Sequence, residues 1–352
     1  MSSANSSQLA DLPDYAAKLA AVVSAYAKEH VFHGTVLVQD KGQIVYHMSF
    51  GVADRAFNVP TTNGTKYRIA SITKLFTAVL ILQLFEQGKL DVHAPMKRYV
   101  PDFTVEGMER ITIHHLLNHT SGLPNTDVVK TYEEAVQRGI EIYQKPSTTD
   151  ELAARYCVRK PVHEPGEKFD YNNGEYILLG KVIEKLTGMT YEAALQKYIL
   201  GPLEMNGTGM LYQRTILENL ANTYFQPHKD ANIVNDMPVY IENWYTAGGL
   251  YSDTTDLLKF ANALFGGQLL KPDTFSRMLT PGLDNYGYGI WASSITVGEK
   301  QRSIAHRPGS IMGANTVLLR FLDDDLTVII LSNTNTTDID DFSFTIGRTV
   351  LG

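Results

Sequence analysis

The sequence predicts an α+β fold in which an antiparallel sheet is assembled from segments near the two ends of the chain. Two runs with strand character, 34–38 and 43–47, lie near the N-terminus, and two more, 314–320 and 326–332, lie near the C-terminus. Between them, residues 71–200 show mostly helical spacing of apolar residues. We therefore expect a mostly helical lobe inserted between the two halves of the sheet, with a ligand groove between them.

The individual elements follow from local patterns. Apolar residues at helical spacing predict a first helix over about residues 14–30. The segment Gln39-Asp-Lys-Gly42 separates the first two strand runs and predicts a β-hairpin. The turn Asp323-Asp-Asp325 separates the last two runs, and a final helix is expected over about residues 338–350.

The chain is expected to form a single domain over residues 1–352, because no repeat, low-complexity tract or Gly/Ser linker divides it. Within this domain we predict a sheet subdomain over about 14–68 and 290–352 and a helical subdomain over about 71–285.

Composition narrows the functional classes. The chain has 352 residues, of which 44% are hydrophobic and 20% charged, as in ordinary globular proteins. The net charge of −7 argues against a nucleic acid or an anionic membrane as the main partner. A small molecule or short peptide is the expected partner, and the single cysteine excludes an internal disulfide.

The sequence also bears on localisation. The most apolar stretch, Phe76–Phe85, is ten residues long and contains Thr77 and Gln83, so no transmembrane segment is expected. The N-terminal MSSANSSQLADLPD lacks the basic start and apolar core of a signal peptide. The chain as it stands is therefore expected in the cytoplasm, whereas an export signal trimmed from it would place it in the periplasm or outside the cell.

The sharpest chemical motif is Ser71-x-x-Lys74, at the start of a predicted helix that is apolar on almost every face. Residues three apart share one side of a helix, so the Lys74 amine should reach the Ser71 hydroxyl. A desolvated lysine can take the proton of a serine nucleophile, and a helix N-terminus can stabilise an oxyanion. The alternative, a helix cap followed by a surface lysine, fits poorly in so apolar a helix.

A second motif, Tyr171-x-Asn173, follows a turn at Pro165-Gly166. We expect Tyr171 and Asn173 at alternate positions of a short extended stretch, facing the same side. A neighbouring ammonium favours the phenolate of Tyr171, which would then act as an acid/base. The Asn173 amide would hold a substrate amide or orient Lys74. The alternative is a capping asparagine beside a packed tyrosine.

A third motif, His306-Arg-Pro-Gly309, immediately precedes the last two strands. His306 is expected to donate a hydrogen bond to the Tyr171–Lys74 pair or to share a proton with it. Gly309 would let a strand edge approach a ligand and offer an N–H to an oxyanion. The alternative is a loop histidine before a Gly/Pro turn.

The order of these three motifs resembles the serine β-lactamase/penicillin-binding-protein-like superfamily. More narrowly, it is similar to the class C β-lactamase-like branch, with its family VIII esterases, D-aminopeptidases and DD-carboxypeptidases. Four further segments occur in the family order: Ile111–Pro124, Pro202–Met205, Ala247–Ser252 and Tyr286–Trp291. The resemblance implies a β-lactamase/transpeptidase-like fold, with an antiparallel sheet flanked by helices, a mostly helical lobe, and the active site in the groove between them.

The resemblance also implies catalytic roles. Ser71 corresponds to the nucleophile, Lys74 to its activating partner and Tyr171 to the acid/base of acylation and deacylation. We assign the mobile proton to the Lys74–Tyr171 pair rather than to one member. Asn173 would position substrate and lysine, and His306 takes the place that lysine holds in class C β-lactamases. No cofactor and no metal are expected.

The third motif departs from the family pattern His-x-Gly, because either Pro308 replaces the glycine or one residue is inserted. Pro308 has no N–H, so Gly309 is expected to supply the oxyanion donor. A histidine in place of the lysine that recognises the β-lactam carboxylate argues against efficient penicillin hydrolysis and favours ester or D-peptide substrates. Arg307 either binds a substrate carboxylate or, as the favoured interpretation, is a solvated surface residue.

Two other features of the sequence allow alternative interpretations. His115 and His119 have the spacing of metal ligands on one helix face, but Leu116 stands where zinc proteases have glutamate, so a structural role is favoured. The expected function is a serine hydrolase that cleaves an ester or an amide/peptide bond through an acyl-enzyme on Ser71, with weak β-lactamase activity included. The alternative is a catalytically silent, penicillin-binding-like ligand-binding or scaffold protein. The sequence determines neither the substrate nor the oligomeric state.

Overall fold

A computed structural model describes residues 13–103, 107–125, 132–156 and 159–352. Cys157 and the first twelve residues lie outside these ranges. Within them, every helix is too short or too polar to cross a membrane.

The longer strands lie near the two ends of the chain, and most of the helices lie between them. The strands are β1 (Gly34–Asp40), β2 (Gln43–Phe50), β3 (Val52–Asp54), β4 (Val59–Pro60), β5 (Tyr67–Arg68), β6 (Gly209–Met210), β7 (Tyr224–Phe225), β8 (Val234–Asn235), β9 (Leu250–Ser252), β10 (Trp291–Val297), β11 (Lys300–Ile311), β12 (Ala314–Phe321) and β13 (Leu326–Ser332). The α-helices are α1 (Ala16–Glu29), α2 (Thr73–Glu86), α3 (Ile113–Leu117), α4 (Tyr132–Arg138), α5 (Glu141–Gln144), α6 (Thr149–Tyr156), α7 (Asn173–Thr187), α8 (Tyr191–Leu195), α9 (Tyr245–Gly248), α10 (Thr254–Phe265), α11 (Pro272–Leu279) and α12 (Ile339–Leu351).

The main sheet joins the two ends of the chain. In the described residues its strand order is β10-β11-β12-β13-β1-β2, and every neighbouring pair is antiparallel. The join is the pairing of β1 with β13, which runs from Gly34 opposite Ser332 to Asp40 opposite Leu326. The predicted α+β class and the antiparallel sheet are confirmed.

Local sequence explains the sheet's turns and flanking helices. The β1–β2 turn is Lys41-Gly42, and both residues have positive φ, as the tight hairpin turn that suits strand twist requires. The last helix begins after Asp338, whose side chain caps it by accepting the Asp341 N–H.

The core occupies both faces of the main sheet. On one face, α1 and α12 cover it with buried side chains that include Leu19, Val23 and Phe342. On the other face lies the helical lobe, with α10 packed against β1 and β13. Every residue of β13 is buried, and seven of the eight in β12 are. Burial on both faces explains why these strands read as continuous apolar runs rather than alternating ones.

Helix α2 is the centre of the helical lobe. It packs against α7, α8 and α9, and eleven of its fourteen residues are buried. The Phe76 ring stacks on the Phe260 ring of α10, with centroids 3.9 Å apart. Thr77 Oγ1 donates to the Thr246 carbonyl at 2.7 Å, so a buried polar group in α2 is also satisfied by its neighbours. The first turn of α2 is therefore held rigidly against its surroundings.

We predict that Phe260→Ala, which removes a fully buried ring, lowers the free energy of unfolding by about 3–5 kcal/mol because it leaves a cavity against Phe76. The matched control is Phe57→Ala, since the Phe57 side chain is 82% exposed. That variant should stay within about 0.5 kcal/mol of the parent protein. Urea unfolding followed by circular dichroism measures both, and equal losses for the two variants would contradict the packing described here.

Candidate active site

Ser71 lies in a short 3-10 turn, Ala70–Ile72, directly before α2. The preceding Ala70 has a φ of 46°, which is uncommon for a residue with a Cβ atom. Strand β11 approaches this turn so closely that a Cβ atom on Gly309 would lie 2.8 Å from the Ser71 nitrogen. Thr316 Oγ1 of β12 donates to the Ile69 carbonyl at 3.0 Å. The sheet thus holds the turn that presents Ser71, and glycine at 309 is required by this close approach.

Lys74 is fully buried one turn along from Ser71. Its Nζ lies 3.2 Å from Ser71 Oγ, 2.8 Å from Asn173 Oδ1 and 2.9 Å from the Ala247 carbonyl oxygen. The amide and carbonyl oxygens can only accept, so they take two of the amine's hydrogens. The remaining position on Nζ, a proton or a lone pair, faces Ser71 Oγ and can exchange a proton with it.

Tyr171 completes the contacts of the serine hydroxyl. Its hydroxyl lies 2.9 Å from Ser71 Oγ and accepts a hydrogen bond from Arg307 Nη2 at 2.6 Å. Burial raises the pKa of Tyr171, but the positive charges of Arg307 and Lys74 outweigh burial and lower the pKa to about 8. The phenolate is therefore accessible near neutral pH, within hydrogen-bond distance of the serine.

Arg307 was expected either to bind a substrate carboxylate or to be a solvated surface residue. Both expectations are wrong, because Arg307 is fully buried beneath the site. Its Nε donates to the Ser71 carbonyl and its Nη1 to the Tyr286 hydroxyl, each at 2.7 Å. Burial opposes the charge, but Tyr171 and Tyr286 raise the pKa of Arg307, so it stays protonated. With its three nitrogens engaged, the guanidinium is neither a solvated surface group nor placed to bind a substrate carboxylate.

His306 does not point toward Tyr171 and Lys74, its expected partners, but toward the other face of the sheet. Successive residues of a strand point to opposite faces, so Arg307 faces the helical lobe and His306 faces α12. There, His306 Nε2 is 3.0 Å from Asp340 Oδ1, and the ring lies against Phe344. In the described part of the chain neither Tyr171 nor Lys74 is a hydrogen-bond partner of His306. The expected bond to that pair is therefore wrong, and the residue beside Ser71 belongs to the segment Arg307-Pro308-Gly309.

Asn173 reaches Lys74 from a different element than expected. It is the first residue of α7 and not part of an extended stretch. Asn172 is the extended residue, and its side chain caps α7 by accepting the Gly174 N–H at 2.9 Å. The residue that caps α7, Asn172, and the residue that binds Lys74, Asn173, are thus neighbours in the sequence. The sequence pattern did not distinguish these two roles.

A buried pair supports the ring of Tyr171 from below. His119 Nδ1 contacts Glu175 Oε2, and the His119 and Tyr171 ring centroids are 4.3 Å apart. Burial lowers the pKa of His119 and raises that of Glu175, so both side chains are held uncharged. His115 is separate from this pair, since its Nδ1 accepts the Thr112 N–H. The two histidines therefore hold local structure and do not face a common ligand.

Sequence reasoning missed four contributors. Tyr286, Trp291 and the Ala247 carbonyl belong to segments that matched the family order but had no assigned role. The Trp291 ring stacks on Tyr171 with centroids 6.1 Å apart and lies against the Arg307 guanidinium. Asp340 of α12 carried no sequence signal at all.

An open cleft of about 310 Å³ exposes Ser71. It lies between the open edge of β11, the Tyr171 region and the start of α12, because β10 pairs with β11 only as far as His306. A larger cavity, of about 690 Å³, borders Tyr286 but is not lined by Ser71. The residues that line the smaller cleft are Ser71, Tyr171, Trp291, Pro308, Gly309, Ser310, Asn315, Ile339 and Asp340. The smaller cleft, not the larger cavity, is therefore the place for chemistry at Ser71.

Comparison with known sequences identifies the family of the chain. A family model described as Beta-lactamase matches residues 19–344. Penicillin-binding protein 4* of Bacillus subtilis (strain 168) is 32% identical over 331 residues, which cover 87% of this chain and 69% of that protein. Teichoic acid D-alanine hydrolase of Staphylococcus aureus is 26% identical over 275 residues, covering 77% of this chain and 65% of that protein.

Solved structures give the same result for the fold. The octameric penicillin-binding protein homologue from Pyrococcus abyssi superimposes with a TM-score of 0.83 at 26% identity, over 96% of this chain and 77% of that one. Because the family model covers most of the chain and the fold matches throughout, the chain belongs to the Beta-lactamase family.

Proposed function

We propose that this protein is a serine hydrolase that cleaves an ester or an amide/peptide bond through an acyl-enzyme on Ser71. The observation that carries the proposal is the pair of contacts made by Ser71 Oγ, to Lys74 Nζ at 3.2 Å and to the Tyr171 hydroxyl at 2.9 Å. This hydroxyl lies in an open cleft with two groups able to take its proton. Membership of the Beta-lactamase family supports a hydrolase of the serine type.

In the first half-reaction, Ser71 Oγ attacks the substrate carbonyl while its proton passes to the Lys74–Tyr171 pair. The tetrahedral intermediate then collapses, and the same pair returns the proton to the departing alcohol or amine. In the second half-reaction the pair takes a proton from water, whose oxygen attacks the acyl-serine. Collapse releases the acid and returns a proton to Ser71 Oγ. Arg307 keeps Tyr171 ionisable throughout.

The oxyanion of each intermediate requires backbone donors. The Ser71 N–H is one, and the open edge of β11 at Gly309 and Ser310 supplies the second. Pro308 has no N–H and is excluded. Asn173 accepts from Lys74 and so orients the amine. Its contact with a bound substrate stays a prediction.

The burial of Arg307, the cation of the third motif, bears on which substrates the site accepts. Because Arg307 is buried and engaged by Ser71, Tyr171 and Tyr286, no third-motif side chain is placed to bind the carboxylate of a penicillin. This favours esters and amides over β-lactams. The relative named for D-alanine hydrolysis fits such a reaction.

We predict that wild-type protein shows a burst in p-nitrophenyl butyrate hydrolysis whose amplitude equals the enzyme concentration, and that Ser71→Ala has no burst and loses at least about a thousand-fold in turnover. The control is Ser276→Ala, an exposed serine of α11 outside the cleft, which should behave as wild type. Stopped-flow absorbance measures the burst. Equal turnover by Ser71→Ala would refute the assignment, and no turnover by any of the proteins on esters and amides would favour the silent ligand-binding alternative.

A second prediction concerns pH. Tyr171 acts as a base when ionised, so kcat/KM on a neutral ester should rise with pH through about 8. Arg307→Gln removes a positive charge from the phenol, which raises the pKa of Tyr171 and should move the inflection to a pH about 1–3 higher. Arg307→Lys, which keeps the charge, should move it less. The same inflection in wild type and in folded Arg307→Gln would contradict the role given to Arg307.

A further inference from the structure

The positive and negative charges around the cleft are separated. The positive charges are buried beneath it, and a negative charge is exposed on its wall. Both cations next to Ser71, Lys74 and Arg307, are fully buried and do not line the cleft. Asp340, in the first turn of α12, does line it, and its side chain is 47% exposed. Among the described residues that line the cleft, Asp340 is the charged one. A substrate bound at Ser71 therefore meets the Asp340 carboxylate on the wall of the cleft, whereas the positive charges of Lys74 and Arg307 lie beneath the cleft.

The Asp340 carboxylate is also held in place. His306 Nε2 contacts Oδ1 at 3.0 Å from the adjacent strand β11. The N-terminal end of α12 stabilises negative charge in its first turn. Oδ2 has no hydrogen-bond partner within the described ranges of the chain. One oxygen is thus positioned by the sheet, and the other remains available to a ligand.

We propose that Asp340 is a specificity-determining residue that binds a positively charged group of the substrate. The preferred substrates are then acyl donors with a protonated amine close to the scissile carbonyl, namely aminoacyl esters or amides with a free amino group. A cleft of about 310 Å³ is lined by both Ser71 and Asp340, so a single small molecule bound there can reach both. An ammonium–carboxylate hydrogen bond in such a cleft is among the stronger polar contacts. A substrate carboxylate there would instead be repelled. The inference rests on the proposed function.

The experiment compares three p-nitrophenyl esters, those of D-alanine, L-alanine and propionic acid, of which the last lacks the amine. At about pH 6.5 the α-amino group is largely protonated. The measured quantity is the ratio of kcat/KM values, alanine ester over propionate ester, after subtraction of the spontaneous rate. Comparing this ratio between protein variants cancels the intrinsic reactivity of the esters.

The matched variants are Asp340→Asn and Asp341→Asn. Both remove one charge from the first turn of α12, but Asp341 accepts from the Tyr26 hydroxyl and does not line the cleft. Asp340→Asn should lower the ratio by about 10-fold or more, as expected for loss of a charged hydrogen bond. Asp341→Asn should keep the wild-type ratio. Asp340→Glu, which retains a carboxylate, should keep more of the preference than Asp340→Asn.

Each outcome separates this inference from the proposed function. If none of the esters shows Ser71-dependent turnover, the proposed function fails. If the esters are hydrolysed at Ser71 but Asp340→Asn and Asp341→Asn change the ratio equally or not at all, only the role of Asp340 fails.

A second measurement uses the wild-type protein alone. Alaninamide should inhibit ester hydrolysis with a Ki about 10-fold or more below that of propionamide. Equal Ki values would overturn the inference.

Discussion

The site depends on the burial of Lys74 within a helix that is apolar on almost every side. An amine in such surroundings is tolerated only where its hydrogens have partners. Those partners come from three separate parts of the chain, Ser71 before α2, Asn173 at the start of α7 and the Ala247 carbonyl in α9. Satisfying one buried group therefore aligns the three segments around the serine, and the apolar packing of α2 keeps them aligned.

Arg307, on strand β11 of the sheet, is a second buried cation that needs hydrogen-bond partners. Its fully buried guanidinium is engaged by the Ser71 carbonyl and by the phenols of Tyr171 and Tyr286. The two cations bracket Tyr171, and together they overcome the burial that would otherwise keep the phenol neutral. The register of β11 thus sets the acidity of a tyrosine on the helical lobe, because a shift of one residue would turn Arg307 away from the site.

Apolar periodicity and local spacing predicted most of the fold and the approach of Lys74 to Ser71, because they locate an element and residues one turn apart. The place of Tyr171 beside them was implied by the family resemblance, since no local spacing joins residues 100 positions apart. The sequence was insufficient for the third motif, because His306 and Arg307 are equivalent until the face of β11 is known. The Ala247 ligand is a backbone carbonyl and leaves no side-chain pattern. Asp340 lies on the last helix, and it reaches the cleft because α12 packs across β12 and β13 and contacts His306 of the neighbouring β11.

The burial of both cations has a consequence for how such a site changes. In the proposed reaction Lys74 shares the proton and Arg307 keeps Tyr171 ionisable, both from beneath Ser71. Ser310 and Asp340, which would meet a substrate, lie on the wall of the cleft. A substitution at Ser310 or Asp340 can alter which acyl group is accepted without removing a partner of either cation. A substitution beneath the serine leaves a buried polar group unpaired, which costs both stability and activity. The wall residues that contact neither cation are therefore the ones where a change of specificity costs least, whereas Tyr171 and Trp291 serve the cleft and a buried cation at once.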